Sequence, residues 1–338
     1  MEIRKVQISG GSSYIVSLPK TWIKQTKIQK NDPVGLIVQR DGTLLVTPNI
    51  KGEKIQKVRE FEVTASTDQT FLLRCLIGAY IAGYDTIRIW AHARLPPFVL
   101  GLVRAFTSNA VGQEVVEETE TAIVIKDLLN PSEMPFDNTL RRMSVIVKGM
   151  HEDAVTALKT GDRALAEDVI SRDTDVDRLH WLIARQNNLI VGDINLSRKM
   201  NISVSMAEEY FLIGRIVERI ADHGTRIAYN ALALIGKTEN AELCTAIEEA
   251  SNCALCIFNN SMDAFSRGDL RKANDTIQMG RKLEELCKEI STRALKYESQ
   301  VAISIVHISD SIRRIGDYSA DICEVTINHL IMEEEPAP

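Results

Sequence analysis

The frame Arg-Ile-x-Asp occurs twice in this chain, at Arg219–Asp222 and at Arg314–Asp317, with 95 residues between the two aspartates. Upstream of each lies a Gly-Asp break, in Thr160–Ala164 (TGDRA) and in Arg267–Arg271 (RGDLR). A frame that returns together with its punctuation marks one supersecondary unit used twice. From Thr139 onwards the apolar residues keep a helical period and predict six helices, at about 139–160, 162–187, 202–234, 240–267, 269–297 and 300–332. The tight connection between the first and second helix of each copy forces antiparallel neighbours, so the expectation is a pair of three-helix bundles, 138–235 and 236–334.

The 338 residues exceed one ordinary core, which leaves room for domains ahead of the bundles. Residues 1–51 read as strand, strand, short helix and a final hairpin, with Gly10-Gly11 and Asp41-Gly42 as turns. So little material cannot make a lone core, and two copies interleaving their hairpins would solve the problem; a homodimer is expected. Residues 1–50 hold seven lysines and arginines against three acids, which leaves −10 on the remainder of a chain whose net charge is −6. A basic head on an acidic body suggests a nucleic-acid contact at one end. Residues 52–137 read as β-α-β-α-β-β, a small α/β sandwich of ferredoxin-like type, without a Gly-rich phosphate loop. Its Arg74, Arg88 and His92 are candidates for a ligand site, or are surface and capping groups. Six irregularly spaced cysteines, no signal peptide and no membrane-length apolar run favour a reducing cytoplasm and no membrane insertion; Arg74 interrupts the greasiest stretch.

The second and third helices of the first copy carry paired acids, Asp173 with Asp177 and Glu218 with Asp222. Four residues apart, the members of each pair project from one helix face, and like charges there repel by a few tenths of a kcal/mol. A hard multivalent cation reverses that cost. The apolar stripes are Val169, Val176 and Ile183 on one helix and Ile213, Ile220 and Ile227 on the other, so the acids flank the core beside a surface groove. The alternative is a pair of solvated faces balanced by Arg172, Arg178, Arg219 and Arg226. In the second copy Gly280 stands in the place of Asp173, Glu284 in that of Asp177, Arg313 in that of Glu218 and Asp317 in that of Asp222, so that site is expected to be weak or empty. Cys253, Cys256, Cys287 and Cys323, on three helices, would enclose zinc or an iron–sulfur cluster if they converged, and otherwise pack the core.

Two resemblances sharpen this reading. Arg4 to Pro48, with the corner Leu18-Pro19-Lys20 and the turn Ile28–Asp32, resembles the SpoVT/AbrB domain, a swapped-hairpin β-barrel that dimerises and binds DNA. The resemblance implies DNA contacts from Arg4, Lys5 and Lys24, with Lys20 and Lys27 as neighbours. Ile15 and Ile23 stand where several DNA-binding members carry arginine, so pure dimerisation is the alternative. Residues 139–332, through RIADHGTRIA and SRDTDVDRLHW, resemble the PhoU family of phosphate-uptake regulators. That resemblance implies Asp173, Asp177, Glu218 and Asp222 as ligands of a transition-metal cluster, iron first, with zinc or magnesium as alternatives. It also implies a possible partner, the ATPase of a phosphate ABC transporter, and Gly224 as a place of close helix or cluster approach. The resulting expectation is a non-enzymatic cytoplasmic regulator that couples phosphate transport to transcription. The alternatives are a dimeric transporter regulator that does not bind DNA, and a metal-dependent enzyme. The last lacks a positioned nucleophile or acid–base group beyond His180 and His223, which suit support of the carboxylates or packing better.

Overall fold

The computed structural model describes residues 2–38, 42–48, 50, 56–237 and 241–333. The chain divides at Ile55/Gln56 into two compact units.

The first unit comprises β1 (Gln7–Ser9), β2 (Ser13–Ile15), α1 (Lys20–Thr26), β3 (Gly35–Val38) and β4 (Leu44–Thr47). β1 pairs antiparallel with β2 around Gly10 and Gly11, whose φ angles of 62° and 83° suit glycine. β3 pairs antiparallel with β4. Asp41 of the second expected turn lies outside the described residues. The hairpins form separate two-stranded sheets, and among the described residues no barrel closes. No described residue of this unit is buried. Ile8 is 67%, Tyr14 77% and Val38 76% exposed, so among the described residues the apolar side chains that should make a core lie open.

The second unit begins with a four-stranded sheet, β5 (Val58–Glu62), β6 (Thr86–Trp90), β7 (Gln113–Glu118) and β8 (Ala122–Asp127), with α2 (Gln69–Ile81) and α3 (Pro97–Asn109) in the expected positions. The strand order is β5-β6-β8-β7. The α/β sandwich is as expected, but the ferredoxin-like connectivity is not. In that fold another strand separates the two strands of each βαβ unit, whereas β5 and β6 are direct parallel neighbours. Composition explains the order. The strands with fully buried isoleucines, Ile87 and Ile89 on β6 and Ile123 and Ile125 on β8, take the centre. The charged β5 and β7 take the edges, where charge discourages further pairing.

The helical part follows as α4 (Phe136–Thr160), α5 (Arg163–Gly192), α6 (Ile194–Met200), α7 (Val204–Leu234), α8 (Ala241–Arg267), α9 (Leu270–Gln278), α10 (Gly280–Ala294) and α11 (Ser299–Glu333). The repeat is realised down to its caps. Gly161 and Gly268 end α4 and α8 with φ of 71° and 63°. Asp162 then accepts from the Leu165 amide at 3.0 Å, and Asp269 from the Lys272 amide at 2.9 Å, each opening the next helix. Two details depart from six helices. The fifth breaks at Met279 into α9 and α10, where Gly280 weakens the helix. The short α6 is capped by Asp193 and closed by Asn201 in the left-handed region.

The two bundles share one continuous core. Val169, Val176 and Ile183 of α5 and Ile213, Ile220 and Ile227 of α7 join Ile257, Leu283, Ile308 and Ile315 of the second copy. A buried hydrogen bond of 2.7 Å between His151 Nε2 and Ser251 Oγ ties α4 to α8. The α/β sheet is fastened to α5. The Arg185 guanidinium donates to Tyr80 O, to Tyr84 O at 3.0 Å and to Asp127 Oδ2 at 2.5 Å, both charged side chains being 2% exposed. Gln186 Nε2 donates to Pro131 O at 3.1 Å and to Met134 O at 2.7 Å, which pins the proline-punctuated connection. Among the described residues no helix is long and apolar enough to cross a membrane.

Candidate metal centre

Val169 and Val176 on α5, and Val217 and Ile220 on α7, are fully or almost fully buried and fix the rotation of both helices. That rotation leaves Asp173, Asp177 and Glu218 half-buried beside the core and Asp222 exposed on the rim. The four carboxylates sense one another. Burial, then the charges of Asp222, Asp177 and Asp173, push the Glu218 carboxyl up to about 7. Burial, then Asp173 and Asp222, push Asp177 up to about 6. Asp173 is raised by burial and drawn back by a hydrogen bond from Thr225 Oγ1 at 3.2 Å. Asp222 is raised by burial and by Asp173, against the opposing charges of Arg226 and Arg219.

Two of the four arginines expected to balance these acids turn elsewhere, and the other two, Arg219 and Arg226, act on Asp222 at the rim. Arg172 pairs with Asp153 at 2.7 Å and with Asp168, and Arg178 lies 3.7 Å from Asp175. Arg219 stacks over Tyr318 at 5.8 Å and lends Asp222 its charge from there. The α5/α7 groove therefore keeps an excess of negative charge. Its oxygen donors suit a hard or borderline cation and suit a soft one poorly. Among the described residues no three His, Cys, Asp or Glu side chains converge on one point, so the groove is an anionic surface and not a preformed cage. His180 stacks on Phe211 with ring centroids 6.2 Å apart, and His223 packs against Tyr318. Gly224 faces α4, with its backbone beside Met150 and His151, and so serves helix packing.

In the second copy Arg313 donates to Asp317 at 2.6 Å and to Asp310 at 2.7 Å. A fixed cation thus stands among the acids there. Gly280 begins α10 and Glu284 is exposed. The four cysteines do not assemble. Cys253 and Cys287 belong to the main core, Cys323 to a small cluster with Ala264 and Ala273, and Cys256 is exposed. Burial pushes the Cys287 and Cys323 thiols up to about 11, which makes them poor thiolate ligands.

In the first unit Lys5, Lys20, Lys24 and Lys27 are exposed, and Arg4 is paired with Glu2. Arg74, Arg88 and His92 do not meet: Arg74 is exposed on α2, Arg88 pairs with Glu60 at 3.1 Å and His92 with Glu62 at 3.2 Å. Sequence reasoning passed over Thr225, Arg185 and Asp127. The polar run Arg185-Gln186-Asn187 inside an otherwise apolar stripe was the available signal.

A duplicated three-helix bundle with one acidic groove defines a helical scaffold whose distinctive chemistry is its hard-oxygen face. The PhoU domain model matches it twice, over residues 140–231 and 247–326, one match to each bundle, and the chain belongs to the PhoU family. The model "Antidote-toxin recognition MazE, bacterial antitoxin" matches residues 7–54. The "Phosphate-specific transport system accessory protein PhoU homolog" of Rhizobium meliloti is 24% identical over 208 residues, covering 58% of this chain and 84% of the relative. The Escherichia coli protein PhoU of that system is 25% identical over 193 residues, covering 54% and 76%. The crystal structure of PhoU from Pseudomonas aeruginosa superposes with a TM-score of 0.52 at 20% identity, covering 59% of this chain and 96% of that one, a likeness of fold.

Proposed function

We propose that the chain is a phosphate-responsive regulator that couples the state of a phosphate transport system to transcription. One observation supports the reading: a PhoU-family body shares its chain with a basic head none of whose described residues is buried. A head of that kind is completed by a second copy, which makes the protein a homodimer and doubles its basic side chains. The body would act at the ATPase of the transport system, in line with the names of its relatives. Asp173, Asp177, Glu218 and Asp222 would hold a cation, iron first with magnesium or zinc as competitors. The cation would supply charge neutralisation and draw α5 and α7 together.

The test is fluorescence anisotropy of the full chain with DNA from upstream of phosphate transport genes. Two heads offer about six to ten phosphate contacts, so log affinity should fall steeply with log salt. Lys24→Ala should weaken all sequences alike and flatten the slope, whereas Arg4→Ala should also relax discrimination. A second reading, a dimeric transport regulator that leaves DNA alone, draws on Ile15 and Ile23 in the head and on the Arg4–Glu2 pair. Absence of binding at low salt with the dimer intact would give that reading the lead.

A further inference from the structure

The parallel strands β5 and β6 end at Glu62 and Trp90, and the loops that leave them, 63–68 and 91–96, wall a cleft of about 800 Å³. The carboxyl ends of parallel strands are where open α/β sheets take ligands, because the loops diverge there and the following helices point their amides at the gap. Val63, Ala91, Leu95 and Leu100 give the cleft an apolar floor, and Thr64, His92, Arg94 and the Glu62 carboxylate give it a polar rim. Arg94 is exposed and makes no ion pair among the described residues. His92 is held by Glu62 at 3.2 Å and by an edge-on contact with Trp90, ring centroids 4.9 Å apart. The Thr64 hydroxyl lies on the exposed rim, 3.0 Å from that of Ser66 and 3.4 Å from that of Thr67. α3 opens at Pro96 and Pro97, which have no amide protons, and the Val99 amide donates to Pro96 O at 3.0 Å, so the rim's side chains and not the helix end must recognise a ligand.

The bundle does not cover this cleft. Its attachments gather at the other end of the sheet, where Arg185 and Asn188 hold the carbonyls of Tyr80, Ile81 and Tyr84 at the C-terminal end of α2. Asp127, their charged anchor, lies at the end of β8 opposite Ala122, the residue that pairs with Trp90. The sheet is thus fastened by one end and presents the other.

We propose that this cleft binds a small organic phosphate, its body on the apolar floor and its single phosphate on Arg94 and the Thr64 hydroxyl. No glycine lines the cleft and two adjacent prolines lack amide protons, so it has no cradle for a pyrophosphate. The inference is independent of the groove and of DNA. It adds a small-molecule input to the regulator, and its failure leaves the other readings untouched.

Isothermal titration of the full chain with AMP, adenosine, inorganic phosphate and phenylacetate tests it. AMP should bind saturably and about tenfold or more tighter than either of its halves. Arg94→Ala should weaken AMP about tenfold or more, the range for a lost charged hydrogen bond, and leave adenosine unchanged. Ala93→Trp, an exposed position that fills the cleft, should abolish AMP binding with the thermal transition preserved. Four results overturn the proposal: no AMP heat at millimolar concentration, AMP no tighter than phosphate, phenylacetate tighter than AMP, or AMP affinity indifferent to Arg94→Ala and Ala93→Trp.

Discussion

Glu218 holds its proton to about pH 7 in the folded chain, against an ordinary 4.5, because burial and three neighbouring carboxylates oppose its charge. Between those two values the native state binds more protons than the unfolded state, so this residue's contribution to stability falls as pH rises and is fully lost above about 7. His151, His180 and His223 act in the opposite sense, since burial lowers each to about 4 and their contribution is lost as pH falls below 6.5. The two trends overlap, so the informative quantity is a difference. Metal-free Glu218→Gln should match the parent protein near pH 5 and exceed it at pH 8 by on the order of 1 kcal/mol, allowing for solvent screening of a half-buried group. Denaturant titration at both pH values checks this, and an equal difference at each would remove the mutual-repulsion account. Arg185 poses a different residue-scale question. Arg185→Met strands Asp127 in the interior and should cost about 3–5 kcal/mol. Adding Asp127→Asn should recover part of that loss.

Helix pairs decide what the groove and the second bundle tolerate. α5 and α7 each bring two acids to a common groove, and a cation bound there would be shared between the elements. Elemental analysis of Asp177→Asn with Asp222→Asn should show metal near zero, whereas parent levels in that double variant would refute the assignment. Far-ultraviolet circular dichroism should be unchanged on chelation, because the acids flank the apolar stripes and lie outside the core. In the second copy α11 meets α10 at Gly316, where an added Cβ would run into the Leu283 side chain. Leu283 is 2% exposed and has nowhere to swing, so Gly316→Ala should destabilise by about 1–3 kcal/mol. Chemical denaturation measures it, and Leu283→Val should relieve part of the clash.

At the scale of the whole molecule, the first unit asks for company. Its hairpins are two-stranded, a size that does not hold alone in water, and it buries none of its described residues. Light scattering after size exclusion should give twice the chain mass. Replacing exposed Ile8 and Leu36 together by aspartate should return the mass of one chain while the second unit, with its own core, stays folded. A dimer that survives this double change would place the contact elsewhere.

The duplication and most of the element order were legible along the chain, because both are local; the short α6 and the break at Met279 were not. Alternation and helical period read out which side chains share a face, and Gly161, Asp162, Gly268 and Asp269 carry their cap geometry in their own residue types. The same period placed Asp173, Asp177, Glu218 and Asp222 beside the apolar stripes. Tertiary structure alone decided that β5 and β6 are neighbours, since strand order depends on which strands find the centre of the sheet. It alone turned Arg172 and Arg178 towards other acids, leaving the groove anionic, and set Arg313 between Asp310 and Asp317. It alone joined Arg185 to Asp127 across 58 positions of chain. Partnerships of charge are fixed by distance through space and by burial, and neither is written in the spacing of residues along the chain.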